Sequence, residues 1–99
     1  MVIITENVFP PGSAKGVGKA FMQLPPLPDY INMRGPYILS DTEKGIRSLL
    51  IYECDNSKLA EALQVVGDRL TSYFDVPEYT YAINAWYEAQ EALKMIGLA

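Results

Sequence analysis

The chain contains no histidine and a single cysteine among its 99 residues. Without histidine there is no Ser-His-Asp triad, no Cys-His pair and no His-ligated haem, and nearly every type of zinc site is excluded. With Cys54 alone, neither an intramolecular disulfide nor a CxxC metal cluster can form. Cys54 has no basic neighbour in the sequence, which favours a buried structural thiol over a reactive nucleophile. We therefore expect no metal and no cofactor.

The sequence also lacks the features of membrane and nucleic-acid partners. No apolar run approaches the ~20 residues of a membrane span, and the N-terminal residues lack the basic region and cleavage site of a secretory signal. Twelve acidic residues against eight basic ones give a net charge of −4. The basic residues are scattered rather than gathered into a face that would neutralise phosphates. We expect a cytoplasmic protein that binds neither membrane nor nucleic acid.

What the chain does contain is ordinary globular composition, with 49% hydrophobic and 20% charged residues. Its length and the absence of repeats or linkers predict one domain over residues 1–99. The patterning predicts seven elements: a strand at Val2–Phe9, a helix from Ser13 to Leu24, a strand from Tyr30 to Ser40 with a kink at Gly35-Pro36, a strand from Ile46 to Cys54, a helix from Asp55 to Phe74, a strand at Tyr79–Ile83 and a C-terminal helix from Trp86 to Leu98.

This order predicts an α+β fold of the ferredoxin-like β-α-β-β-α-β type, with a four-stranded antiparallel sheet, two helices on one face and an additional C-terminal helix. Successive side chains of a strand point to opposite faces. Leu49 and Ile51 therefore oppose Leu50 and Tyr52, so the strand is apolar on both faces. Since two helices cover only one face, we expect a homodimer that buries the other.

Three segments carry a resemblance to a known superfamily: Phe9-Pro10-Pro11-Gly12, Leu49–Glu53 and Tyr79-Thr80-Tyr81. With the element order and the length, they resemble the dimeric α/β-barrel superfamily. It contains antibiotic-biosynthesis monooxygenase-like domains, stress-responsive barrel domains and many small proteins of uncharacterised function. The resemblance implies a cleft between sheet and helices that holds a hydrophobic or aromatic metabolite. It also implies cofactor-independent oxygenation as a possible activity, whereas the histidine-dependent activities of the superfamily do not apply to this chain.

Polar residues of the predicted strands are candidate ligand-binding residues, because a buried polar group without a partner costs ~1–3 kcal/mol. They are Asn7, Arg34, Glu53 and Asn84. Arg34 and Glu53 lie on adjacent strands, where they form an ion pair or, alternatively, Arg34 anchors a ligand carboxylate through its planar fork. In that second reading, Glu53 serves as a general base if burial raises its pKa.

Aromatic residues of the strands complete the candidate set, namely Tyr37, Tyr52 and Trp86. Such rings commonly fill a core or a dimer interface. Alternatively they line a pocket, with the hydroxyls of Tyr37 or Tyr52 orienting a substrate. The glycine-rich segment Gly12–Lys19 departs from the phosphate-loop pattern and is interpreted as a flexible helix start.

Two functional hypotheses follow from these observations. In the first, a small homodimeric α/β-barrel protein binds a small hydrophobic or aromatic metabolite, as a cofactor-independent monooxygenase or isomerase if it is an enzyme. In the second, the chain is a non-catalytic regulatory or assembly module that acts through its dimer interface.

Overall fold

In the computed structural model, which describes residues 1–98, four antiparallel strands form one sheet and three α-helices accompany it. The elements are β1 (Val2–Phe9), α1 (Ala14–Met22), β2 (Asn32–Asp41), β3 (Gly45–Glu53), α2 (Leu59–Leu70), β4 (Thr80–Trp86) and α3 (Ala89–Met95). The predicted α+β class and four-stranded antiparallel sheet are confirmed. None of the helices in this part of the chain is long and apolar enough to cross a bilayer.

The strands lie in the order β2-β3-β1-β4. The central strand β1 pairs with β3, where Ile3 is opposite Tyr52, and with β4, where Ile3 is opposite Ala85. Because every neighbouring pair is antiparallel, β1 and β2 run in one direction on either side of β3. In the same way β3 and β4 share a direction on either side of β1. Each of α1 and α2 thus connects two codirectional strands that are separated by a third.

The predicted kink in β2 is confirmed as a shift of register between Arg34 and Tyr37. Gly35 in this kink has φ 103°, and an added Cβ would lie 2.8 Å from the carbonyl oxygen of Leu49. Both the backbone conformation and the close approach of β3 therefore require glycine here. The kink interrupts the ladder at the edge of the sheet, where a bulge is best tolerated.

The C-terminal part differs from the prediction. β4 continues to Trp86, and α3 begins only at Ala89. Glu88 and Glu91 form a capping box, in which each side chain accepts a hydrogen bond from the other residue's backbone N–H. The Met1 ammonium lies 2.7 Å from Glu91 Oε1, and this contact is the main reason that the pKa of Glu91 is lowered to about 2. Helix α3 is therefore held by polar contacts at its start, while its residues are largely exposed.

One face of the sheet, here called the helical face, carries the core. It consists of the odd-numbered residues of β1 and the even-numbered residues of β3, in agreement with their buried pattern. Ile3 and Val66 are completely buried, and with Leu50, Tyr52 and Ala62 they join the sheet to α2. Burial of such apolar surface is the dominant stabilising contribution to a domain of this size.

The opposite side, here called the open face, is covered by neither α1 nor α2. Its central residues are Val2, Ile4 and Val8 of β1 with Leu49 and Ile51 of β3. Toward the edges it continues with Tyr37 and Leu39 of β2 and Trp86 of β4, which are exposed. The two-sided apolar character predicted for β3 is therefore present in the fold.

Replacing Ile3 with Ala tests the position of the core. Ile3 is 0% exposed, so the change leaves a cavity and should lower the free energy of unfolding by about 3 kcal/mol. The matched control is Ile96→Ala, since Ile96 is 69% exposed and its truncation should change stability by at most about 0.5 kcal/mol. Urea unfolding followed by circular dichroism measures both. Equal effects of the two substitutions would contradict the described core.

Candidate ligand-binding cleft

A cleft of about 250 Å³ lies between the helical face and α1. Its floor is formed by side chains of β1 and β3, its roof by α1, and its ends by β2 and by the turn that follows α2. Apolar groups dominate the lining, which comprises Asn7, Phe9, Ala14, Val17, Gly18, Phe21, Pro36, Ile38, Ile46, Ser48, Leu50 and Tyr73. A concave, mostly apolar site with few polar groups is typical of small-molecule binding.

Helix α1 forms the roof without packing closely on the sheet. None of its residues is fully buried, and its apolar residues Val17 and Phe21 are half-buried against the cleft. The helix is held instead at its N-terminal end. The hydroxyl of Ser13 donates to the Pro77 carbonyl at 2.6 Å, and a Cβ on Gly16 would lie 3.6 Å from Val76. The space under the rest of α1 therefore stays open.

Two buried polar side chains lie in the floor of the cleft. Asn7 and Ser48 face each other across β1 and β3, and they are 4% and 9% exposed. The amide Nδ2 of Asn7 donates to Ser48 Oγ at 3.1 Å, and the hydroxyl of Tyr79 donates to Asn7 Oδ1. Asn7 is thereby held on two sides in one orientation.

Aromatic rings flank this polar group. Tyr73 stacks on Tyr79 with ring centroids 5.1 Å apart, and Tyr79 stacks on Tyr81 at 5.9 Å. Tyr81 in turn stacks on Phe74 at 5.7 Å. Stacking of this kind adds about 0.5–1.5 kcal/mol per pair beyond the area buried. The row of rings fixes the segment between α2 and β4 and positions the Tyr79 hydroxyl over Asn7.

Burial controls the ionisation of the tyrosines beside the cleft. It raises the pKa of Tyr79 far above the ordinary value of 10, and the neighbouring Tyr73 and Tyr81 add to this effect. The pKa of Tyr73 is raised for the same reason. Both hydroxyls therefore keep their protons at neutral pH and act as hydrogen-bond donors rather than as bases.

Of the predicted site residues, Asn7 lines the cleft. Tyr52 lies on the helical face but is packed in the core against α2, 3% exposed, and burial raises its pKa. The remaining five lie on the open face and do not line this cleft, as their register shows: Arg34, Tyr37, Glu53, Asn84 and Trp86.

Arg34 and Glu53 form the ion pair that was one of their two predicted roles. Arg34 Nε lies 3.1 Å from Glu53 Oε1 across β2 and β3, and the two side chains are 52% and 39% exposed. Exposed pairs contribute little to stability, about 0–1 kcal/mol. Cys54 is partly buried beside the core, and its pKa is raised, mainly by burial, so it stays a thiol at neutral pH.

Sequence reasoning missed most of the cleft. Ser48, Tyr73 and Tyr79 were not selected as site residues, although Ser48 has the same parity as the buried residues of β3. A polar residue at a buried position of a strand is the sequence signal that could have identified Ser48. The structure adds that Ser48 faces Asn7 in the register. The contact of Tyr79 with Asn7 joins residues far apart in the chain and has no local signal.

No protein-family model matches this chain, and no curated protein sequence is significantly similar to it. Within residues 1–98 no group of three or more histidine, cysteine, aspartate or glutamate side chains is arranged to hold a metal ion. The geometry of the cleft and of the sheet is therefore the basis for a functional proposal.

The pH dependence of stability in a Tyr79→Phe variant tests the polar group of the cleft. A tyrosine whose pKa is raised by folding loses its proton first in the unfolded chain, so the folded state loses stability as the pH rises above 10. Tyr79→Phe removes this loss, so its stability should fall less steeply with pH. At pH 7 it should be about 1 kcal/mol less stable, because Asn7 Oδ1 loses its donor.

Urea unfolding at several pH values, with tyrosinate absorbance as a second signal, measures the effect. Tyr87→Phe is the control, since Tyr87 is 57% exposed and should keep the wild-type profile. A Tyr79→Phe profile parallel to that of the wild type would contradict the burial of this hydroxyl.

Proposed function

We propose that the protein is a homodimer of ferredoxin-like α/β-barrel subunits, each of which binds a small apolar molecule in the cleft under α1. The observation that carries the proposal is the cleft itself: an apolar space of about 250 Å³ with two buried polar side chains in its floor. Apolar side chains that line a concave space gain contacts and lose exposed surface when an apolar molecule binds there.

The arrangement of the strands supports the ferredoxin-like part of the proposal. Each of the first two helices joins two codirectional strands with one antiparallel strand between them. Both helices lie over the same face, since α2 packs on Ile3 and α1 roofs the cleft on the same side. These features are typical of the split β-α-β arrangement, used twice. It also supports the resemblance to the dimeric α/β-barrel superfamily.

The open face supports the dimer. Strands about 4.8 Å apart and about eight residues long give a four-stranded face of roughly 500 Å² in projection. Charged side chains interrupt this face, but its apolar residues run from the centre to both edges, and apolar surface of a few hundred Å² is often functional. A second copy of the chain offers the same apolar face, and a two-fold axis buries both at once.

The charges of the open face favour a second copy as the partner. The whole chain has a net charge of −4, whereas the open face carries Glu6, Asp41 and Glu53 against Arg34 and Arg47. Its net charge is therefore −1, so the charges of two such faces are close to balanced. The Arg34–Glu53 pair is already neutralised within one subunit.

Light scattering with size-exclusion chromatography tests the dimer. We expect twice the chain mass of 11.0 kDa, and Tyr37→Glu should shift the protein to the monomer by placing a charge in the interface. Tyr87→Glu is the matched control, because Tyr87 lies outside the open face and is 57% exposed against 56% for Tyr37. A wild-type protein of one chain mass at high concentration would overturn this part of the proposal.

The chemistry of the cleft favours binding over proton transfer. Within residues 1–98 its lining contains no carboxylate, lysine or cysteine, and its ionisable side chain, Tyr73, stays protonated at neutral pH. An isomerase needs a group that accepts a proton near neutral pH. Cofactor-independent oxygenation remains the catalytic hypothesis, because there the substrate itself supplies electrons to oxygen. We keep the prediction that the protein acts in the cytoplasm.

Filling the cleft from α1 tests ligand binding directly. A Cβ on Gly18 meets nothing within 4 Å, so Gly18→Leu places a side chain in the cleft without a clash and should abolish binding of para-fluoroethylbenzene. Gly67→Leu is the control, since Gly67 lies in α2, has the same free space and does not line the cleft. Each substitution should also stabilise its helix by about 0.5–1 kcal/mol.

Fluorine NMR of the probe measures binding, and thermal unfolding measures stability. Because both variants are expected to be at least as stable as the wild type, loss of binding in Gly18→Leu alone reports occupation of the cleft. Unchanged binding in Gly18→Leu would show that the probe lies elsewhere and would contradict the proposed site.

A further inference from the structure

The proposed function leaves open which chemical class of molecule the cleft takes. The number of free hydrogen-bond donors on its polar side chains indicates that class. Asn7, Ser48 and Tyr79 together carry four polar hydrogens, two on the amide and one on each hydroxyl. Two of these are used within the group, by the bonds from Tyr79 to Asn7 and from Asn7 to Ser48.

Two protons therefore remain, the second amide proton of Asn7 and the hydroxyl proton of Ser48. Neither side chain makes a further hydrogen bond as donor within the part of the chain that the structure describes. Both side chains are at least nine-tenths buried and line the cleft. Buried donors favour an acceptor, and a molecule bound in the cleft that both side chains line can supply one.

The lining carries no charge to match an anion. No residue within 1–98 that lines the cleft is a lysine or an arginine. The nearby Arg69 is not part of the lining, and it donates to the Pro25 carbonyl at 2.6 Å. An ionised carboxylate in this apolar space would lose its hydration without gaining a cation.

We infer that the cleft selects a neutral, mainly apolar molecule with one hydrogen-bond acceptor, a carbonyl or an ether oxygen, directed at Asn7 and Ser48. A cavity of about 150 Å³ holds benzene, so about 250 Å³ accommodates one ring with a short substituent, roughly ten heavy atoms. This inference rests on the proposed function. The inference also disagrees with the hypothesis that Arg34 anchors a ligand carboxylate, because Arg34 lies on the open face.

Three probes of matched size separate the possibilities: para-fluoroacetophenone, para-fluoroethylbenzene and para-fluorobenzoate. Fluorine NMR titrations of the wild-type protein give the three dissociation constants. We expect the ketone to bind about fivefold more tightly than the hydrocarbon, the effect of one added hydrogen bond. The benzoate should bind at least tenfold more weakly than the ketone.

The Ser48→Ala variant locates the acceptor. It removes one of the two donors assigned to the acceptor and should lower the ratio of ketone to hydrocarbon affinity, while Ser40→Ala, a strand serine outside the cleft lining, should keep the wild-type ratio. Because the ratio is measured within one variant, a general loss of stability does not change it. A ratio that stays fivefold in Ser48→Ala would overturn the assignment of Ser48 as a donor to the ligand.

Other outcomes are equally decisive. Benzoate binding as tight as ketone binding overturns the inference. Equal affinity for ketone and hydrocarbon, with both abolished by Gly18→Leu, leaves the proposed cleft standing and shows that its polar floor does not select an acceptor. If none of the three probes binds the wild-type protein, the proposed function fails and the inference fails with it.

Discussion

The alternation of side chains along β1 and β3 is the constraint on which the rest of the structure depends. Apolar residues occupy both parities of these strands, so that Leu50 faces the helices while Leu49 and Ile51 face away. The helices α1 and α2 lie over one side only. A large apolar surface on the other side is typical of an interaction site. The covered side determines the core and the cleft, and the uncovered side carries the proposed dimer interface.

The packing on the helical face is not uniform, because α1 and α2 contribute side chains of different size. Helix α2 places Ala62 and Val66 against the sheet, and this half is densely packed. Helix α1 contributes Ala14 and Gly18 to the lining of the cleft, and these are too small to fill it. Close packing therefore stops midway across the helical face. The cleft is the volume that the small residues of α1 leave unfilled.

Local patterns predicted much of this architecture and little of the site. The strands, the kink at Gly35 and the two-sided character of β3 follow from residue type and a period of two. The site depends on which parity the helices cover, and that choice is tertiary. Arg34 and Asn7 are both polar strand residues, yet they lie on opposite faces. The Tyr79 bond to Asn7 spans most of the chain and leaves no trace in the local sequence.

The features that reduce stability are concentrated at the cleft. Gly18 weakens α1 by about 1 kcal/mol relative to alanine, and Asn7 and Ser48 bring polar groups into an otherwise apolar floor. An apolar residue at any of these positions would suit the fold better. Deviations from the most stable choice are expected where a protein meets a ligand. Here the three residues lie on three different elements, and all of them line the same cleft. The same three residues determine the size, the polarity and the hydrogen-bond donors of that volume, so the features that reduce stability are also the ones that would select the proposed ligand.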